Sequence, residues 1–243
     1  MLRTMKADLH IHTCLSPCGE LEMSPTGIAE QASLKEIHIL GICDHNSSEN
    51  VPALIKAAQK YEIVVLPGME VTSQEEVHIL ALFDELERAL ELQAIIYAHL
   101  DGENDEKTFG MQVVVNAEDE VLGFNKKLLI GASTLPVEDV VNTIHTLDGL
   151  AIASHIDREG FSLIGQLGFI PEDLALDALE ISPAISFAEA MEKFKPSYPL
   201  TCASDAHFLD DIGRGTTSFF IAEGTTKEIK KALMNADGRK IIH

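Results

Sequence analysis

The chain has no tryptophan, and aromatic residues make up only 5% of its 243 positions. A surface that stacks a run of single-stranded bases is hard to build from so few rings. Positive charge is scarce too. Eighteen lysines and arginines stand against 39 aspartates and glutamates, a formal net charge of −21. Such a field repels anionic membrane and argues against long nucleic acid as a partner. A small anionic substrate stays possible, because bound cations reverse the sign locally. No apolar run approaches the roughly 20 residues that a membrane helix requires, and no apolar segment follows Arg3 and Lys6 as in a signal peptide. The expectation is a soluble, cytoplasmic protein without a membrane partner. The four cysteines, Cys14, Cys18, Cys43 and Cys202, suit a reducing compartment better than a disulfide framework. Gly-rich phosphate loops and the GxSxG nucleophile elbow are missing, which disfavours nucleoside-triphosphate, dinucleotide and serine-hydrolase chemistry.

What the chain has is apolar content, 46% of its residues, enough for one large core. Short apolar runs of strand length fall at Met5–His12, His38–Cys43, Glu62–Pro67, Val77–Phe83, Leu150–His155, Ala178–Ser182 and Leu200–Ser204. Continuous rather than alternating apolar character predicts strands buried on both faces. Helical patterns fall between most of them, at Ser24–Glu36, Val51–Lys60, Asp84–His99, Pro136–Leu147, Ala184–Lys193 and Thr226–Asn235. Ser24-Pro25 is a cap followed by proline in the first turn. Strand and helix in alternation predict βαβ units, a parallel sheet and an α/β barrel. Met111–Val115 and Val121–Phe124 break the rhythm and read as an inserted β-hairpin over about 111–124, a lid or an edge decoration. Residues 1–243 read as a single domain.

The polar residues on these strands are unusual. Asp8-Leu9-His10-Ile11-His12 ends the first strand, and residues i and i+2 of a strand share a face. Asp44-His45 follows the second. Glu70 follows the third, after Pro67-Gly68. His155 closes the fifth, and Asp205 and His207 follow the seventh. His78 lies early in the fourth strand and is the exception to placement at the C-terminal end. Barrel active sites are built at that end. So many imidazoles and carboxylates at one mouth would be desolvated and mutually repulsive without a counter-charge. A cluster of two to three divalent metals resolves both problems, and this donor set suits Mn, Zn or Fe.

The motifs DLHIHT, CDHN, GMEVTS, the histidine of VHILALF, ASHI and SDAH resemble, in order and over nearly the whole chain, those of the polymerase-and-histidinol-phosphatase (PHP) family. The chain is most similar to its short stand-alone phosphoesterases. That resemblance implies a distorted seven-stranded (β/α)7 barrel with two or three metals. It implies that His10, His12, Glu70 and Asp205 hold a first metal, that Glu70 bridges to a second shared with His78 and His155, and that His45 and His207 bind a third. The family's further ligand, usually His or Asp after the HxH pair, is missing. The loop Thr13–Glu20 offers Cys18, closest to the expected place, with Cys14 and Glu20 as alternatives.

Asp8 and Asp44 read as residues that orient ligating histidines. Cys43 and Cys202 read as core, and His38, His99, His145 and His243 fit no strand-end pattern. Arg158, just past His155, is a candidate phosphate contact, as is Arg214. Each is equally able to form a surface ion pair. Lys126 and Lys127 reach the mouth only if the hairpin folds over it. The expected reaction is hydrolysis of a small phosphomonoester or nucleotide-type substrate by hydroxide generated on the metals, with His207 protonating the leaving group. Two rivals differ in class. A metal-dependent amidohydrolase would typically show a strand-end lysine, and none is present. A non-catalytic metal-binding sensor or scaffold would show a closed ligand shell.

Overall fold

A computed structural model describes residues 1–242, so His243 lies outside the described residues. In chain order the elements are β1 (Arg3–Ile11), α1 (Pro25–Leu34), β2 (Ile39–Ile42), α2 (Val51–Ala58), β3 (Val64–Leu66), β4 (Gly68–Thr72), β5 (His78–Leu82), α3 (Leu86–Ala98), α4 (Glu106–Phe109), β6 (Val113–Val115) and β7 (Val121–Phe124). They continue with α5 (Val137–Thr146), β8 (Leu150–Ala153), α6 (Leu163–Leu167), β9 (Ala178–Ile181), α7 (Phe187–Phe194), β10 (Leu200–Cys202), β11 (Thr217–Ile221), α8 (Thr226–Leu233) and β12 (Lys240–Ile242).

The fold is mixed α/β as expected, but the all-parallel pairing is corrected. The strands form two five-stranded sheets, β12-β11-β1-β2-β3 and β10-β9-β8-β5-β4, and the two-stranded β6-β7 hairpin. Among the described residues no sheet closes on itself. The two large sheets meet at single bridges, Ile11 with Ala206 and His45 with Glu70. Nor is the pairing all parallel: β5 runs antiparallel to both β4 and β8, and β11 antiparallel to β1 and β12. The apolar run at Glu62–Pro67 ends at a proline, which cannot donate to a ladder. The chain then starts a separate strand, β4, and Glu70 sits inside it rather than in a loop after β3.

Strand period explains the layers. In β5, Ile79 and Ala81 join the apolar cluster under α3 and α5, while Leu80 and Leu82 join the cluster between the sheets. In β8, Ala151 and Ala153 face one way, and Leu150 and Ile152 the other. Both faces are buried, hence the continuous apolar runs. A third cluster packs Leu40 and Ile42 of β2 against α1 and α2. β1 has a register shift against β2 between Asp8 and Ile11. Met5, Ala7 and Leu9 face the inter-sheet cluster, but beyond the shift Ile11 faces the α1–α2 cluster. A bulge of this kind re-aims side chains, and here it leaves His10 and His12 pointing to one place. Gly41 permits the close approach there, since a Cβ on it would lie 2.3 Å from the Leu9 carbonyl oxygen.

The hairpin is a brace against the loop after β1. Val113 N–H donates to the Cys14 carbonyl at 3.1 Å, and Asn50 bonds both Val113 and Val115 at 3.0 Å. Cys14, Val113 and Val115 form their own buried cluster. At the hairpin tip the Asp119 carboxylate accepts from Ser24 Oγ at 2.9 Å, from Thr26 N–H at 3.1 Å and from the Thr26 hydroxyl. Ser24 is itself the N-cap of α1, accepting from Gly27 N–H. Gly110, at φ +101°, lets the chain pass the Pro17 carbonyl, which a Cβ would meet at 2.4 Å.

Candidate metal centre

The inner face of the strands is apolar at one end and polar at the other. His78 shares its face of β5 with Leu80 and Leu82. Because β5 runs opposite to its neighbours, its first residue reaches the end where the other strands finish. The exception noted in the sequence is therefore a consequence of strand direction. Asp205 and His207 do not sit on a strand: β10 stops at Cys202. They lie in the following loop, with Asp205 at φ +50°. His155 and Asn46 also have positive φ, +29° and +52°. Such conformations cost about 1–3 kcal/mol each and persist only where surroundings enforce them.

Glu70 is buried, and five imidazoles surround its carboxylate. His78 Nδ1 is 2.9 Å away, His45 Nδ1 3.1 Å, His10 Nε2 and His155 Nε2 3.4 Å, and His12 Nε2 3.6 Å. Asp205 Oδ1 lies 3.2 Å from His10 and 3.1 Å from His12, and His207 stacks on His12 with ring centroids 4.1 Å apart. Burial alone would raise both carboxylates, but neighbouring imidazolium charge, from His78 and His10 for Glu70 and from His10 for Asp205, holds them well below the usual range.

Several of these contacts are close without the directions of hydrogen bonds. His45 Nδ1, His78 Nδ1, His155 Nδ1 and Glu70 Oε1 are buried and have no hydrogen-bond partner. Orphaned buried donors and acceptors are costly, and divalent ions among them would satisfy them. Three triples have donor atoms within 4.8 Å of one another: His10, His12 and Asp205; His12, His45 and His207; His45, Glu70 and His78. The side chains present thus fit more than one divalent ion.

The inward-facing rings are held from behind. His12 Nδ1 bonds Ser16 Oγ at 2.9 Å, and that hydroxyl donates to Asp44 Oδ1 at 2.7 Å. Asp44 also accepts from Thr13 N–H and Thr13 Oγ1, both at 2.7 Å. Asp8 accepts from Ser204 N–H and Gly213 N–H, tying β1 to the loop that carries Asp205 and His207. His10 Nδ1 bonds Glu180 Oε1 at 2.9 Å. Glu180, in the middle of β9 and fully buried, is the residue that sequence reasoning missed. Its signal was present: of the seven strands expected from sequence, Ala178–Ser182 was the one without a site residue, and it carries a carboxylate in an otherwise apolar run.

Of the candidates after the HxH pair, Cys18 is an exposed residue whose thiol neighbours His207 and His45. Partial burial pushes its thiol up, but the neighbouring His207 and His45 imidazoles outweigh this and bring it down to about 6. Cys14 is buried toward the hairpin, its thiol 3.8 Å from the Val113 carbonyl and pushed by burial up to about 12. Glu20 is exposed. Cys43 and Cys202 are buried, as core cysteines should be. Arg158 pairs with Asp205 at the rim, whereas Arg214 pairs with Asp211 on the surface. Lys126 reaches Glu106, and Lys127 reaches the Tyr97 carbonyl, so neither comes to the mouth. His38 accepts from Lys6 N–H, His99 bonds Thr134, and His145 bonds Asp177.

A cleft of about 340 Å³ opens onto the centre, lined by His45, Glu70, His78, His155, Asp205 and His207 with Ile130, Arg158, Gly160 and Phe161 around them. The profile of the PHP domain matches residues 8–163, more than half of the chain. The chain belongs to the PHP domain family. A second profile, PHP-associated, matches residues 184–237 of this PHP protein. A 5′-3′ exoribonuclease of Haemophilus influenzae is 24% identical over 192 residues, 63% of this chain and 69% of that protein. Among solved structures, the lesion-specific endonuclease Q of Pyrococcus furiosus aligns with TM-score 0.70 and 24% identity over 98% of this chain. The PHP chain here spans only 58% of that endonuclease. A metal-dependent phosphoesterase assignment from Bifidobacterium adolescentis aligns with TM-score 0.58 and 17% identity, covering 95% of this chain and 96% of that one. These likenesses establish the fold. No helix among the described residues is long and apolar enough to cross a membrane.

Proposed function

We propose that this PHP protein is a metal-dependent phosphoesterase acting on a small phosphomonoester or nucleotide-type substrate. The observation that carries the reading is the cleft: it reaches Glu70, His45, His78, His155, Asp205 and His207 directly. A structural metal has a closed shell, whereas a catalytic one keeps an open side. No lysine lines the cleft, which weighs against the amidohydrolase reading.

His10, His12, Glu70 and Asp205 would hold one ion, Glu70 with His78 and His155 a second, and His45, His207 and Cys18 a third. Bound there, divalent ions supply Lewis-acid neutralisation of phosphoryl charge and an activated water. The chain's own residues do the rest. Glu180 and the Ser16–Asp44 pair fix the ring orientations of His10 and His12. Arg158 stands at the rim with a guanidinium able to grip two phosphate oxygens on leaving Asp205. His207 bonds the Asp205 carbonyl through Nδ1 at 2.9 Å, which leaves Nε2 to ligate or to deliver a proton to the leaving oxygen.

The test is a phosphatase screen of a phosphometabolite panel with Mn, Zn and Fe supplied separately, beside metal analysis of the same preparation. Two to three equivalents of metal and turnover of small phosphoesters are expected. No bound metal, or metal with no phosphoester turnover, overturns the reading. The relation to the exoribonuclease supports a second reading, in which the substrate is the end of a short RNA. A 5′-phosphorylated oligoribonucleotide turned over faster than any mononucleotide would favour it.

A further inference from the structure

We propose that Phe161 is a specificity residue: its ring stacks against the planar base of a nucleotide whose phosphate lies on the histidine–carboxylate floor. This rests on the phosphoesterase reading and names its substrate class. The chain has few aromatic rings, yet this one is 42% exposed at the cleft wall. It is not a loose surface side chain. Phe161 has φ +57°, a left-handed conformation that a bulky residue adopts only under constraint. Its carbonyl accepts the His78 N–H at 2.8 Å. Its ring stacks on the His78 imidazole with centroids 4.7 Å apart and planes 21° apart. Ser162 Oγ donates to the Arg158 carbonyl at 2.7 Å and caps α6, which closes the turn carrying Arg158 and Phe161.

Next in the chain to this residue, Gly160 faces open space, since nothing beyond its chain neighbours falls within 4 Å of a Cβ built on it. Ile130 completes an apolar wall. It too is fixed, because Asn46 Nδ2 donates to the carbonyls of Leu129 and Gly131 at 2.8 Å on either side of it. The cleft therefore has a floor for phosphate, a guanidinium at its rim and a rigid apolar wall one imidazole away from the floor. A sugar phosphate has no π-face to use that wall, whereas every nucleobase does. Holding the ring in advance lowers the ordering cost of binding.

The experiment is calorimetry on the Mn-loaded protein with phosphonates in which a methylene replaces the ester oxygen, so that nothing is hydrolysed. The probes are the analogues of adenosine 5′-phosphate and of ribose 5-phosphate. The readout is the ratio of the two affinities in the wild type, Phe161→Leu and Phe161→Tyr. The adenosine analogue should bind about 5- to 150-fold more tightly, the range expected for one stacked base. Phe161→Leu should collapse the ratio toward one, and Phe161→Tyr should restore it. A trinucleotide with the same 5′ phosphonate tests the source. Tighter binding with the same dependence on Phe161 makes the base that of a strand end, and weaker binding makes it that of a free nucleotide. A wild-type ratio near one, or a ratio that survives Phe161→Leu, overturns the proposal. Failure of the phosphoesterase reading shows separately, as missing turnover, which this binding assay does not use.

Discussion

Glu70→Gln is the most informative perturbation because the carboxylate touches every part of the centre. Five imidazoles lie within 3.6 Å of it, so any ions held by those rings are its near neighbours. One unit charge at about 4 Å is worth roughly 4 kcal/mol at an effective dielectric of about 20, and a divalent ion doubles that. If a quarter of the doubled figure survives reorientation of the amide and entry of water, about 2 kcal/mol is lost per ion. That is roughly a 30-fold weaker site, and two ions share the loss. Turnover should fall by about 10²-fold or more. The fold should hold, since Met69 and Val71, on the other face of β4, carry the packing there. Metal content and phosphomonoesterase rate are measured on the same preparation. A Glu70→Gln protein with full metal and near-normal rate would show that this carboxylate does not bridge, and the proposed assembly would be wrong.

Cys18→Ser should remove one metal equivalent and leave the others. In the cobalt-loaded protein it should also abolish the thiolate-to-metal charge-transfer band, and an unchanged spectrum would return Cys18 to a role outside the metal shell. Asp119→Ala removes the acceptor of three donors at the start of α1 and should cost about 0.5–2 kcal/mol in urea unfolding, with no loss contradicting the brace. Asp177 is partly buried and bonds His145 at 2.9 Å, Lys230 at 2.7 Å and Ala151 N–H at 2.9 Å. Burial raises its carboxyl, but those partners outweigh it and hold it below its ordinary 3.8. Its contribution is then fully present above about pH 4 and is lost as pH falls through the depressed value. Asp177→Asn should be destabilised at pH 7 by about 1–3 kcal/mol and converge with wild type in strong acid, and a gap independent of pH would refute the ion pair.

The sequence disclosed the centre better than the sheet. His10, His12, His45, Glu70, His78, His155, Asp205 and His207 were visible because polar residues in apolar runs need a reason, and they do converge. Strand direction was not visible. A buried strand reads as the same apolar run whichever way it points, so β5 passed for a parallel strand and His78 for a misplaced residue. β4 was missed for a related reason, since Pro67 looked like the end of a strand rather than the gap between two, and Glu70 like a residue after that strand. β11 and β12 were missed as strands, their alternating Thr217–Ile221 and short Lys240–Ile242 segments lacking a strong apolar run. Glu180 escaped because one glutamate in a strand has no spacing partner to announce it.

The bonds between the Cys14 loop and Val113, and between Asp119 and the start of α1, join two segments that are about a hundred residues apart in the chain. Together they behave as one exchangeable module. Grafting Thr13–Glu20 alone into a relative that lacks the hairpin would bring the thiol without its scaffold. Grafting both segments should carry the thiol's position with them.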